Sequence, residues 1–128
     1  MVIREGVLEL VRGLGLAADE QRKVEIALQQ QAEMVRKAVE AGVLVLAGTD
    51  AGIVAHGIVC REIENFFEAG VPGEIALGAG SWTARAFLEL PGIEEDSHAD
   101  LVVFAKDPRR HKEVLSTPTF IMLDGRQL

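Results

Sequence analysis

Tyrosine is absent from this sequence and aromatic residues make up only 5% of it, so material for a base-stacking surface is scarce. Basic residues are also few: 13 Lys and Arg stand against 20 Asp and Glu, for a formal net charge of -7. An acidic chain argues against a nucleic-acid groove, which needs clustered positive charge. We interpret the short basic cluster at residues 109–112 as a solvated loop and expect no nucleic-acid partner.

Cysteine and long apolar runs are equally scarce. Cys60 is the only cysteine, which excludes an intrachain disulfide and a multi-thiolate zinc site. No apolar run reaches the length of a bilayer, and no signal-peptide pattern is present. We therefore expect a cytoplasmic protein with no membrane partner. The three histidines, His56, His98 and His111, include no pair at metal-ligand spacing.

The composition that remains is that of a folded chain. Hydrophobic residues make up 48% of the 128 residues and charged residues 26%, which is enough apolar surface for a core. Over residues 20–40, apolar side chains recur every three or four positions and predict a helix. Asp19 is the expected N-cap and Gly42 the expected C-terminal glycine. An earlier short helix is predicted from its apolar residues Val7, Leu8, Leu10, Val11 and Leu14, with Gly13 and Gly15 ending it.

The stretch from Val43 to Gly52 is the one around which the rest of the sequence is arranged. Its first half is a continuous apolar run, typical of a strand buried on both faces, and we predict a strand at residues 43–48. Its second half, Gly-Thr-Asp-Ala-Gly, follows where chemistry is found in α/β proteins, past the carboxyl end of a strand. Asp50 is therefore either a functional carboxylate or only a turn former or the N-cap of the next helix.

The second half of the chain predicts two helices followed by strands. The first helix spans residues 61–69 and ends at Gly70. The second runs from Pro72 to about Leu90, with a bend or a close contact at its glycines. Two β-like runs then follow, at residues 101–104 and 119–123. Asp124-Gly125 is a strong hairpin turn, although little chain remains for a returning strand.

Five segments carry a family resemblance when they are read in order. They are Gly48-Thr49-Asp50-Ala51-Gly52, His56-Gly57, Arg61-Glu62 to Gly70, Ala99-Asp100-Leu101-Val102-Val103 and Asp124-Gly125-Arg126. In this order and spacing they resemble the C-terminal portion of the metal-dependent amidohydrolases, closest to the imidazolonepropionase-like and prolidase-like branch.

The resemblance implies an α/β fold made of the last βα units of an amidohydrolase TIM-like barrel plus C-terminal β-strands. The barrel would be incomplete, because a full one takes at least about 200 residues. In this scheme residues 1–92 form the partial barrel and residues 93–128 the C-terminal β-strand segment.

The resemblance also implies roles for particular residues. Asp50 matches the family's metal-binding and catalytic aspartate, while His56 and Gly52 lie at positions near the substrate. From the residues alone, His56 is either a satisfied loop or core histidine or a substrate contact. The implied cofactor is a divalent metal, zinc, and the implied reaction is hydrolysis of a C–N bond in a small amide or peptide substrate. A carboxylate beside such a metal can take a proton from the metal's bound water.

This sequence departs from the family in its metal ligands. It contains no His-x-His, and the family's Lys and further His ligands are also missing, so we expect the chain to be inactive alone. Two alternatives stay open: a non-catalytic, oligomerising interaction module derived from the family, and a small-molecule-binding domain using residues 50–57. We also expect self-association, as a symmetric dimer that joins strands, or pairing with a complementing chain.

Overall fold

The computed structural model describes residues 11–52 and 56–128. Its helices are α1 (Ala18–Glu40), α2 (Val59–Glu68), α3 (Gly73–Ala79) and α4 (Trp82–Phe87), its strands are β1 (Leu101–Val103), β2 (Phe120–Leu123) and β3 (Arg126–Gln127), and a 3-10 turn spans Lys112–Val114. Within the described ranges, no helix has both the length and the apolar character needed to cross a bilayer.

Half of the predicted first helix lies outside the described residues. Residues 11–13 are helical and are followed by a turn in which Gly15 has a φ of 62°. Gly13 is still helical, contrary to the expectation that it helps to end the helix, and the helical state ends before Gly15. Residues 7–10, which carry most of the predicted apolar face, lie outside the described part of the chain.

Helix α1 confirms the prediction for residues 20–40, but Asp19 is not its N-cap. The helix begins at Ala18, and the Ala17 N–H donates a 3.2 Å hydrogen bond to the Glu20 carboxylate. Asp19 already lies inside the first turn, where it pairs with Lys23 at 3.2 Å. A carboxylate one residue inside the helix still suits the positive end of the helix dipole.

Gly42 ends α1 as predicted. Its φ of 76° is a left-handed conformation that glycine adopts without a steric penalty. The Gly42 N–H donates to the Val39 carbonyl at 3.0 Å and the Val43 N–H to the Ala38 carbonyl at 2.9 Å, the two bonds of a Schellman motif. No residue of α1 is fully buried, and Val35 and Val39 are the side chains that pack against the core.

The core forms where α2 and α3 meet. Its buried members are Ile63, Phe66, Val71, Ala76, Leu77, Ala79 and Leu115. Helix α2 confirms the helix predicted at residues 61–69, beginning two residues earlier, and it buries Ile63 and Phe66. Gly70, with a φ of 83°, ends it and turns the chain into α3, so the two helices bury one shared apolar surface.

The prediction of one continuous helix from Pro72 to Leu90 is wrong. The segment divides into α3 and α4 at Gly80 and Ser81, and α4 ends at Phe87. Ser81 leaves helical geometry, with a φ of -142° and a ψ of -104°, and its hydroxyl donates to the Leu77 carbonyl at 2.7 Å. The expected close contact at the glycines is present, because a Cβ on Gly78 would lie 2.7 Å from Trp82 Nε1.

The three strands form one antiparallel sheet in the order β1-β2-β3. Val102 pairs with Ile121, and Leu123 pairs with Arg126 across the predicted Asp124-Gly125 turn. Both turn residues have positive φ, 50° and 73°, which is the geometry of a two-residue hairpin whose twist matches its strands. The returning strand β3 has two residues, so the expectation of a minimal returning strand holds.

Residues 43–48 are not a strand, contrary to the prediction. From residue 43 to residue 50 the described chain has no strand pairing. Its backbone hydrogen bonds go to helices: the Val43 N–H donates to the Ala38 carbonyl at 2.9 Å, and the Ala47 N–H donates to the Ala79 carbonyl at 2.8 Å. A strand needs a neighbouring strand for its backbone groups, and the described residues provide none here. The sheet observed is the small antiparallel one, and a TIM barrel is not shown.

Candidate functional site

Asp50 lies in an exposed turn at the end of the segment formed by residues 43–50. Its φ of 48° is left-handed, a conformation that aspartate tolerates better than most residues, and Gly52 follows with a φ of 113°. The next described helix begins at Val59 with Ile58 as its N-cap, so Asp50 does not cap that helix. The turn geometry suits Asp50 both as a turn former and as a carboxylate presented to a ligand.

The segment leading to Asp50 is held on the core by α3. The Ala79 carbonyl is available because α3 ends there, and it accepts the Ala47 N–H. Val45 and Ala47 also pack against the buried cluster. The chain is therefore anchored three residues before the carboxylate, and the break between α3 and α4 provides the anchor.

His56 and Gly52, the predicted substrate contacts, are exposed like Asp50. His56 lies in a turn with Gly57, whose φ is 79°. Among the described residues, no hydrogen bond or ion pair joins the three predicted site residues to one another. The structure therefore exposes all three residues without joining them into a bonded cluster.

The described residues do not by themselves assemble a metal site. Within residues 11–52 and 56–128, no group of three His, Cys, Asp or Glu side chains is placed to hold a metal. Protein zinc sites use three or four such ligands, and Asp50 supplies one carboxylate. A metal centre that includes Asp50 would need ligands from outside the described residues.

Asp100 has a structural role that the sequence did not reveal. Its Oδ1 accepts the Asp124 N–H at 2.7 Å, and its Oδ2 lies 3.6 Å from Arg85 Nη1 on α4. The backbone hydrogen bond from Asp124 first, and then the Arg85 charge, lower the pKa of Asp100. His98 Nδ1 lies 2.8 Å from Asp124 Oδ1 on the same turn. Asp100 thus ties the hairpin to α4. The sequence signal that could have indicated this role is an Asp directly before β1 together with an Asp-Gly directly after β2.

The basic cluster at residues 109–112 is largely neutralised. Arg109 donates to both carboxylate oxygens of Asp107, at 3.0 and 2.9 Å, and these bonds lower the pKa of Asp107 to about 2. Lys112 pairs with Glu68 at 3.1 Å, which fastens the loop to α2. Cations already paired with carboxylates make a poor anion site, in agreement with the interpretation of the cluster as a surface loop.

No family model matches the chain. Uncharacterized proteins of Mycobacterium tuberculosis and Mycobacterium bovis are 43% identical to it over 93 residues, which is 72% of this chain and 25% of each relative. The chain therefore spans about a quarter of the length of these relatives. A stretch covering 72% of 128 residues necessarily includes residues 37–92, and with them Asp50 and His56.

Two solved structures share the fold. A Xaa-Pro dipeptidase with methionine bound in its active site superposes with a TM-score of 0.71 and 28% identity, over 84% of this chain and 28% of its own. A prolidase-like protein from Bifidobacterium longum superposes with a TM-score of 0.75 and 23% identity, over 92% of this chain and 31% of its own. The chain thus has the fold of one part of prolidase-like proteins, which relates it to peptidase-type hydrolases over a fraction of their length.

Proposed function

We propose that this chain is the C-terminal part of a prolidase-like, metal-dependent amidohydrolase that cleaves C–N bonds in small amide or peptide substrates. The observation that carries this proposal is the likeness to the Xaa-Pro dipeptidase, which combines a TM-score of 0.71 with 28% identity over 84% of the chain. The family resemblance of the segment from Gly48 to Gly52 adds to it. The single cysteine agrees with a reducing cytoplasm as the place of action.

Asp50 is the residue to which we assign the chemistry. Its side chain is exposed at the end of the anchored segment, where a carboxylate can accept a proton or bind a ligand. We assign substrate contact to His56 and close backbone approach to Gly52, which has no side chain to block a ligand. The divalent metal that the family uses, zinc by resemblance, would take most of its ligands from outside the described residues, so the chain alone is expected to be inactive.

A chimera tests this assignment. In the Xaa-Pro dipeptidase, the segment that superposes on this chain is replaced by this chain, and hydrolysis of Xaa-Pro dipeptides is measured together with metal content. Asp50→Asn should reduce the rate on the order of 100-fold or more while leaving folding intact, since general acid–base groups contribute about that much and asparagine also tolerates left-handed φ.

Asp96→Asn is the matched control, because Asp96 is another exposed aspartate with a positive φ, 63°. It should leave the rate of the chimera unchanged. A folded, metal-loaded chimera whose activity survives Asp50→Asn would remove Asp50 from the mechanism. Dipeptide hydrolysis by the isolated chain would contradict the expectation that the site needs further residues.

A non-catalytic, self-associating module is the second candidate function. It is favoured by the apolar side chains left on the surface, such as Val43 and Phe87. Size-exclusion chromatography with light scattering distinguishes the two: a concentration-dependent dimer without bound metal supports the module. A monomer at micromolar concentration counts against it.

A further inference from the structure

The apolar segment before Asp50 is partly covered at residues 45–47 and exposed at residues 43 and 44. Val45 and Ala47 pack against the core, whereas Val43 and Leu44 are each 57% exposed. A continuous apolar run is typical of a strand with cover on both faces. Within the described residues, its backbone also lacks a strand partner. The side chains of Val43 and Leu44 and the backbone groups of residues 44–46 are therefore without cover or partner among the described residues.

A second apolar surface follows directly after the break between α3 and α4. We call it the α4 patch, and its members are Trp82, Phe87, Leu88 and Leu90. Trp82 is 49% exposed, Phe87 61% and Leu88 62%. The Ala47–Ala79 hydrogen bond brings the 43–47 segment to the end of α3, three residues before Trp82. Four large apolar side chains exposed within nine residues are unusual on a free surface and mark an interaction site.

Most of the prolidase-like fold is not matched by this chain, which covers 31% of the Bifidobacterium longum protein while 92% of the chain superposes on it. In the Bifidobacterium longum protein, the unmatched part of the chain is more than twice as long as the matched part. That additional chain is available to cover apolar positions that are exposed here.

We propose that residues 43–46 and the α4 patch form one docking surface for a polypeptide that supplies the remaining part of a prolidase-like fold. The partner contributes a strand beside residues 43–46 and apolar side chains over Phe87 and Leu88. This docking rests on the proposed function, because the same partner would bring the metal ligands that the described residues lack. A second copy of this chain fits less well, since it would bring another net charge of -7 and the same incomplete set of ligands.

Co-expression with a truncated relative tests the docking. The Mycobacterium tuberculosis protein is the better donor because of its 43% identity, and its matched segment of 93 residues is deleted. The chain carries an affinity tag, and recovery of the truncated relative in the eluate is measured. Hydrogen exchange is then followed at the amides of residues 44–46, which should become protected in the complex.

Leu44→Asp and Met34→Asp form the matched pair of variants. Both residues are large, apolar and more than half exposed, but Met34, at 63% exposed, lies on α1 outside the proposed surface. Leu44→Asp should weaken the complex on the order of tenfold or more, as expected for loss of one buried leucine. Met34→Asp should recover as much partner as the unchanged chain. Circular dichroism of both variants checks that neither is unfolded.

The docking is overturned if the truncated relative is not recovered, if the two variants weaken recovery equally, or if Leu44→Asp has no effect. Protection of residues 44–46 in a homodimer of the isolated chain would also overturn it in favour of a second copy. The outcome is separate from that of the proposed function. A complex that forms without hydrolysing an amide or dipeptide leaves the docking supported and the proposed function refuted.

Discussion

Asp50, Asp100 and Asp107 are carboxylates of one type in three different surroundings. Asp107 is held by its neighbour Arg109, Asp100 by a backbone N–H 24 residues away, and Asp50 has neither kind of bond within the described residues. Sequence separation explains which role was foreseeable. A local pair can be guessed from spacing, whereas the link between Asp100 and Asp124 exists only after the hairpin has folded back.

Acid should weaken the fold through Asp107. Its pKa is about 2 in the folded chain and about 3.9 when unfolded, so its ionised form favours the folded state above about pH 4. This contribution is lost as the pH falls from about 4 through about 2. In urea titrations, the free energy of unfolding should fall across this window, and Asp107→Asn should flatten the slope. Arg109→Met should do the same because it removes the donor, and an unchanged slope in both variants would contradict the assignment.

Gly42 should be sensitive to substitution although nothing surrounds it. Gly42→Ala places a side chain at a φ of 76° and should cost about 1 kcal/mol of stability, the usual penalty for a left-handed non-glycine residue. Gly92→Ala is the control, since Gly92 has no positive φ and equally open surroundings. Thermal or chemical denaturation of both variants measures the difference, and equal stabilities would refute the strained-turn explanation.

At the scale of elements, local sequence patterns predicted where helices form better than where a helix is broken. Helix α1 and helix α2 follow from apolar spacing and from the glycines that end them. The break between α3 and α4 depends on tertiary contacts as well, because Gly80 lies against Ile63 of α2 and Gly78 lies under Trp82. Two small residues permit these contacts, and the sequence alone indicated a weak point without giving its geometry.

The start of α3 should tolerate no side chain at Gly73. A Cβ there would overlap the backbone carbonyl of Arg109 and approach the Phe67 ring at 2.9 Å. Because backbone cannot move aside as a side chain does, Gly73→Ala should cost about 1–3 kcal/mol. Gly13→Ala, in open space without a positive φ, should cost far less. Chemical denaturation decides, and a neutral Gly73→Ala would show that α3 and the loop at residues 107–111 are not packed this closely.

At the scale of the whole molecule, the described elements bury only a small apolar core. The core is made where α2 and α3 meet, and the long helix α1 contributes no fully buried side chain. The small antiparallel sheet is joined to this core through contacts such as Phe104 and the 3.6 Å pair between Arg85 and Asp100. The chain has the fold of one part of prolidase-like proteins, and it exposes the apolar side chains that we propose as a docking surface.

Trp82 provides a direct probe of that surface. It is the single tryptophan, tyrosine is absent, and the indole is 49% exposed. In the isolated chain, acrylamide should therefore quench its fluorescence readily. In the complex with the truncated relative, the emission should shift to shorter wavelength and the quenching should fall, because the indole becomes covered. Unchanged emission and quenching in a purified complex would place Trp82 outside the interface.

The sequence by itself determined the local elements of this protein. The spacing of apolar residues predicted α1 and α2, the glycines that follow them predicted their ends, and Asp-Gly predicted the hairpin. Each of these features depends on a few neighbouring residues. The sequence also indicated a resemblance to prolidase-like proteins, which the superpositions support for the fold. The tertiary structure alone decided that residues 43–48 form no strand, that the helix from Pro72 breaks in two, and that Asp100 ties the hairpin to α4. These features depend on partners distant in the chain or absent from its described part, and no local pattern contains that information.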